Sequence, residues 1–143
     1  VPQVYVMMGS DSDREKMEKA ADVLDKYDVS REIIVCSAHR DPERTRKIAI
    51  EAKEHGVQVI IAGAGLSAAL PGVLASHTFL PIIGVPIASG ALNGVDALYS
   101  ITQMPPGVPV GCVGIDNAKN AALLAIRILA LSDNALSEKL NNN

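Results

Sequence analysis

Short apolar runs alternate with longer amphipathic segments along the whole chain. Val4-Tyr5-Val6-Met7-Met8 and Ile33-Ile34-Val35-Cys36 are continuous, rich in β-branched residues and bounded by polar loops. This is the pattern of parallel strands buried on both faces. Three further runs, 57–62, 81–85 and 108–113, read as strands in the same way. Between them lie helical segments. Residues 12–27 place Met17, Ala20, Ala21 and Leu24 at helical spacing, and Asp11 or Ser12 can cap that helix. Asp41-Pro42-Glu43 opens a second helix, with Pro in its first turn and acids at the positive dipole end. It runs to about His55 and stops at Gly56. Uncharged residues 67–76 form a third helix with Pro71 near its start, and a fourth lies within 91–101. A strongly apolar helix covers 117–131, and a short tail helix follows Asp133. Regular strand–helix alternation predicts an α/β fold with a parallel sheet, formed by residues 1–143 as one domain.

The distribution of charge adds a second prediction. From residue 55 to residue 115, 61 positions hold one charged side chain, Asp96. At the chain's average of 20%, roughly 12 are expected there. The outer faces of helices in a monomer are normally charged. A chain this short cannot hide those helices inside itself, so other subunits are expected to cover them. The sequence therefore predicts an obligate homo-oligomer, with the C-terminal helix used in its contacts.

Composition narrows the function. Hydrophobic residues make up 48% and charged residues 20%, as in a folded domain. Gly, Pro, Ser and Asn interrupt every apolar run before the roughly 18 residues a membrane span needs. The first residues show no basic region followed by an apolar core, so a cytoplasmic protein without a secretion signal is expected. Cys36 and Cys112 lie far apart, without metal spacing, and read as small buried hydrophobes in a reducing compartment. A net charge of -3 argues against nucleic-acid or anionic-membrane partners. With three Tyr, one Phe and no Trp, the chain lacks ring platforms for stacking bases. A nucleobase-like ligand would be held by backbone and small polar groups.

The candidate chemistry follows the first two strands. In an open α/β sheet, ligands bind outside the carboxyl ends of the strands. Gly9-Ser10-Asp11-Ser12-Asp13 offers a tight turn, hydroxyls and helix-start amides for a phosphate or sugar. Asp13 can accept from a ribose hydroxyl. Taken alone, this loop reads equally as a helix cap with acids at the positive end. There is no G-x-G-x-x-G and no phosphate-loop Lys, which argues against dinucleotide and nucleoside-triphosphate binding. Ser37-Ala38-His39-Arg40 is more specific. An imidazole can give and take a proton near neutrality, and a guanidinium can grip a carboxylate or phosphate through two hydrogen bonds. His55 and His77 read as helix-end residues, and no two histidines have metal-ligand spacing, so no metal is expected. Ala62-Gly63-Ala64-Gly65 and Pro86-Ile87-Ala88-Ser89 follow the third and fourth strands with small residues that allow close approach of a ligand.

Taken together these motifs resemble those of the N5-carboxyaminoimidazole ribonucleotide mutases of purine biosynthesis, the catalytic subunits of phosphoribosylaminoimidazole carboxylase. The resemblance covers almost the whole chain. It rests on M-G-S-D-S-D at 8–13, S-A-H-R at 37–40, A-L-P-G at 69–72 and G-V-P at 84–86. It continues through L-N-G-V-D-A-L-Y-S at 92–100, Q-M-P-P-G-V-P-V at 103–110 and N-A-A-L-L-A at 120–125. The resemblance implies a three-layer αβα sandwich with a flavodoxin-like parallel sheet, in a homo-octamer with active sites at subunit junctions. It implies transfer of a carboxylate from the exocyclic nitrogen of an aminoimidazole ribonucleotide to ring carbon 4, with no ATP, metal or organic cofactor. It makes His39 the proton carrier, has Ser10, Asp13 and Arg40 bind the ribonucleotide, and lines the site with Ser12 and Ser37. One position departs from it. The mutases usually carry His in an H-L-P-G motif, where this chain has Ala69. The related carboxylases that use carbon dioxide directly also lack that His, but tend to carry Lys after the site His, where this chain has Arg40. The alternatives are therefore a direct carboxylase and, from another class, a non-catalytic ribonucleotide-binding module.

Overall fold

The structure, a computed structural model, describes residues 1–142. Five parallel strands form one sheet: β1 (Val4–Met8), β2 (Arg31–Val35), β3 (Val59–Gly65), β4 (Ile82–Ile87) and β5 (Gly111–Cys112). Their order is β2-β1-β3-β4-β5, the flavodoxin-like arrangement. Six helices join or follow them: α1 (Arg14–Lys26), α2 (Pro42–Glu51), α3 (Leu70–His77), α4 (Val95–Thr102), α5 (Ala118–Ala130) and α6 (Asn134–Asn141). A single 3-10 turn, Asp11–Asp13, precedes α1.

Alternation along β1 divides the core. Val4, Val6 and Met8 join Val59, Ile61 and Val85 beneath α1 and α5, whose Met17, Leu24, Ala122 and Ile126 are fully buried. Tyr5 and Met7 join Ile60, Ala62 and Ile82 beneath α2, α3 and α4. Helices cover both faces, so this is the three-layer αβα sandwich. Leu136 docks α6 onto the α1–α5 side, where Lys139 reaches the Tyr27 carbonyl and the Asp28 carboxylate.

Several boundaries differ from the sequence expectation, each for a local reason. β3 continues through Gly63–Gly65, because Ala64 and Gly65 pair with Pro86 and Ile87 of β4. The register decides there over the weak strand preference of glycine. β5 keeps two residues of the six expected over 108–113. Pro109, within that run, lacks the N–H that would extend the ladder towards its start. α3 starts at Leu70 rather than near 67, with Pro71 in its first turn. Leu66 ahead of it is left-handed, with φ 54°. α2 ends at Glu51, and turns carry the chain on to Gly56 at φ 88°. Cys36 follows β2 at one sheet edge and Cys112 lies in β5 at the other, roughly 19 Å away at four strand spacings, too far for a disulfide.

Close packing at two strand glycines sets how α1, α3 and α4 sit. A methyl group on Gly63 would lie 2.4 Å from the Met17 sulfur, and one on Gly84 2.5 Å from Ile101 Cγ2 and 3.4 Å from Pro71. Met17 is flexible and can swing aside, whereas Ile101 is β-branched and Pro71 is a ring. Gly84→Ala should therefore destabilise by about 1–3 kcal/mol, and Gly63→Ala by less. Urea midpoints at one fixed protein concentration test this ranking.

Candidate active site

The site forms where the strand order turns back on itself. The link after β1 passes to α1 on one face, and the link after β2 passes to α2 on the other. This opens a crevice above the ends of β1, β2 and β3. The crevice is a cleft of about 340 Å³, within the range of small-molecule sites. Its wall includes Ser10, Ser12, Asp13, Ser37, His39 and Arg40, so all six residues singled out in the sequence meet in one place. Ala64–Leu70 and Ser89 complete it from β3 and β4.

Each loop is held by its own hydrogen bonds. Ser10 Oγ caps the 3-10 turn, accepting from the Ser12 amide at 3.3 Å, and lies 2.9 Å from Ser12 Oγ. The capping role and a ligand-facing position thus coexist in one residue. Ser37 Oγ accepts from the Arg40 amide at 3.1 Å. Asp41 caps α2 through the Arg44 amide at 3.2 Å, and its own amide donates to the Ser37 carbonyl at 2.9 Å. Beneath this loop sits Thr45, the fully buried polar residue of α2. Its hydroxyl donates to the Asp41 carbonyl at 2.9 Å and lies 3.2 Å from Cys36 Sγ. The 37–41 segment is therefore pinned to both β2 and α2.

His39 is exposed at the cleft rim, and its Nε2 lies 3.0 Å from the Ser67 carbonyl oxygen. A carbonyl only accepts, so Nε2 carries the hydrogen and Nδ1 is the nitrogen that can take up a proton. The contact also anchors the ring to the β3–α3 loop. Arg40 is exposed, and among the described residues none accepts a hydrogen bond from its guanidinium. A cation with two free edges beside an imidazole suits a phosphate or carboxylate.

Asp13 is half-buried, and loss of water pushes its carboxyl above the usual range. Lys16, one helical turn on, pulls it down, and Asp116 adds a smaller upward push. Ala69 lines the cleft at the start of α3 and offers it only a methyl group. His55 and His77 lie outside this cleft. His55 Nδ1 sits 3.4 Å from the Tyr5 hydroxyl on the α2 side.

The sequence reading did not foresee the Ser67 carbonyl or the pair Lys16 and Asp116 behind Asp13. A backbone acceptor leaves no trace in residue identity. The charged pair is 100 residues apart in the chain, and each member alone reads as a solvated surface charge.

The chain is similar over nearly its whole length to known proteins. The AIR carboxylase family pattern matches residues 3–143. A Pyrococcus abyssi protein named N5-carboxyaminoimidazole ribonucleotide mutase is 58% identical over 140 residues, covering 98% of this chain and 80% of its own. An Ogataea methanolica protein named phosphoribosylaminoimidazole carboxylase is 52% identical over 132 residues, 92% of this chain but 24% of its own length. The crystal structure of Treponema denticola PurE superposes with a TM-score of 0.87 at 32% identity, covering 99% of this chain and 89% of that one. With the family pattern spanning nearly every residue and relatives above half identity, this chain belongs to the AIR carboxylase family.

Proposed function

We propose that the protein is an N5-carboxyaminoimidazole ribonucleotide mutase, moving a carboxylate from the exocyclic nitrogen of its substrate to ring carbon 4. The observation that carries this reading is one imidazole whose Nε2–H is tied to a carbonyl, beside a guanidinium without an acceptor among the described residues, and facing a serine–carboxylate loop. That set can hold a ribonucleotide and move one proton at a time.

The reaction balances with a single carrier. The bond from nitrogen to the carboxylate breaks, its electron pair stays on nitrogen, and carbon dioxide is released. The nitrogen takes the Nδ1 proton of His39, which enters the cycle as the imidazolium. Carbon 4, made electron-rich by the amino group, then forms a bond to the carbon dioxide. The proton displaced from carbon 4 returns to His39 Nδ1, and the ring is ready again. Arg40 and Ser10 hold the phosphate and ribose end, Asp13 accepts from a ribose hydroxyl, and Ser12 and Ser37 line the site. Binding at the remote end fixes the reacting ring while its substituent is detached. No added cofactor is needed, since the substrate brings its own carboxylate.

Loose carbon dioxide must be kept in place, which calls for a closed, dry pocket. In the single chain His39, Arg40, Leu66 and Ser89 are exposed. A homo-oligomer, by resemblance an octamer with sites at subunit junctions, supplies the closure. Its support is the surface itself: Phe79, Leu92, Val95 and Tyr99 are exposed apolar side chains within the nearly charge-free stretch. We extend the reading to a C-terminal helix in the oligomer contacts and to a cytoplasmic protein without nucleic-acid or membrane partners. No described helix is long and apolar enough to cross a membrane.

Ala69 favours a second reading, direct carboxylation by carbon dioxide, because the cleft offers no second imidazole there. The two readings separate by donor. The purified protein should convert the N-carboxylated ribonucleotide faster than it carboxylates the uncarboxylated one at physiological carbon dioxide. Turnover of the second alone would establish the direct carboxylase, and ligand binding without either reaction the non-catalytic module.

His39→Asn should lower turnover by roughly two to four orders of magnitude while ribonucleotide affinity, measured by calorimetry, stays within a few-fold. Near wild-type turnover would remove His39 from the mechanism. Light scattering at micromolar concentration should give a particle several times 15.0 kDa. A folded monomer at that concentration would contradict the assembly.

A further inference from the structure

The chain leaving β4 runs directly into the site. Ile87 ends the strand, and two residues later Ser89 lines the cleft. Across the sheet, β5 pairs only with Ile83 and Gly84, so Ala88 has no neighbouring strand on that side. Its peptide groups are taken up by two side chains instead. The Ala88 N–H donates to Asp116 Oδ1 at 2.8 Å. The Ala88 carbonyl accepts from Lys16 Nζ at 3.0 Å. Lys16 Nζ also donates to Asp116 Oδ2 at 3.0 Å, which closes the ring.

Three elements meet in this ring: α1 through Lys16, the β4 exit through Ala88, and the β5–α5 link through Asp116. Asp116 is itself held left-handed, with φ 60°, and its amide donates to the Pro86 carbonyl at 2.8 Å. Aspartate accepts that conformation more readily than most residues. Both side chains are about one-third exposed, at 36% and 35%. A pair that open to water adds little to stability. Its geometry is nevertheless specific, since it satisfies both backbone polar groups of one residue at the edge of the cleft.

We propose that Lys16 and Asp116 are positioning residues for the substrate site, clamping the Ala88 peptide as a neighbouring strand would, fixing Ser89 at the rim, and balancing each other's charge beside Asp13. The effect on turnover rests on the mutase reading above. The clamp itself does not.

The charge balance has a sign that a purely structural role lacks. Asp13 is surrounded by Lys16 on its own element, Asp116 from the β5–α5 link, and His39 and Arg40 on the same cleft wall. The neighbouring Asp11 is engaged by Arg14 at 2.8 Å. Removing the Asp116 charge leaves Lys16 unopposed, so the Asp13 carboxyl titrates lower. Removing the Lys16 charge leaves Asp116 unopposed, so it titrates higher. If ionised Asp13 holds the ribose, the acid limb of kcat/KM follows that carboxyl in the free enzyme. Asp116→Asn should move the limb to lower pH and Lys16→Met to higher pH. Loss of packing alone would not move it in opposite directions.

The test combines amide exchange with kinetics on the intact chain. Asp116→Ala should speed exchange at the Ala88 amide by about tenfold or more, because its acceptor is gone. It should raise KM by roughly 5- to 20-fold with kcat within about threefold. Asp116→Asn keeps the acceptor, so exchange and KM should lie closer to wild type than to Asp116→Ala. If Asp116→Ala does not fold, Asp116→Asn and Lys16→Met decide the matter through the opposed limb shifts. Unaltered Ala88 exchange in a folded Asp116→Ala overturns the clamp, whatever the activity. Limb shifts that are absent or of the same sign overturn the charge balance. A wild-type protein inactive on both ribonucleotides would refute the mutase reading while leaving the exchange result standing.

Discussion

The parallel pairing of β1 with both β2 and β3 is the constraint on which the site depends. β1 is buried along its whole length, with Met8 level with Val35 on one side and Gly63 on the other. Parallel strands need long crossovers, and those crossovers take one hand. The crossover from β1 therefore runs along one face, and the crossover from β2 along the other. The two exits must diverge above β1, and the first residues of each loop face a shared crevice. Ser10 to Asp13 and Ser37 to Arg40 meet because the sheet leaves them no other course. Met17 then presses α1 against the backbone of Gly63, which brings the start of that helix to the end of β3.

Much of this was legible because it is written in short-range patterns. β1 agrees with its apolar run residue for residue, and the helices carrying clear apolar stripes, α1 and α5, fall within a few residues of expectation. The elements that moved are those governed by partners far along the chain. Gly63–Gly65 look like a loop until β4 is beside them. Residues 108–113 look like a full strand, although Pro109 within the run removes a donor from it. The cleft's polar residues were legible because they sit in two compact motifs at strand ends. The Lys16–Asp116 contact was not, since no local pattern marks a pair that only folding brings together.

The loops after β3 and β4 show why the charge-poor stretch and the site are one feature. These loops supply Leu66, Ala69 and Ser89 to the cleft, and the segments following them expose Phe79, Leu92, Val95 and Tyr99. For the proposed mutase, a charge on these two loops would draw water towards a step that has to retain carbon dioxide, and in the proposed oligomer a charge on the outer faces would oppose packing against another copy. Both demands select small and apolar residues over the same part of the chain. The polar work is left to the β1 and β2 exits, on the other side of the crevice. Asp96 is the exception within the stretch: Oδ1 on α4 is buried and has no hydrogen-bond partner among the described residues. A carboxylate oxygen shut away from water is costly unless paired.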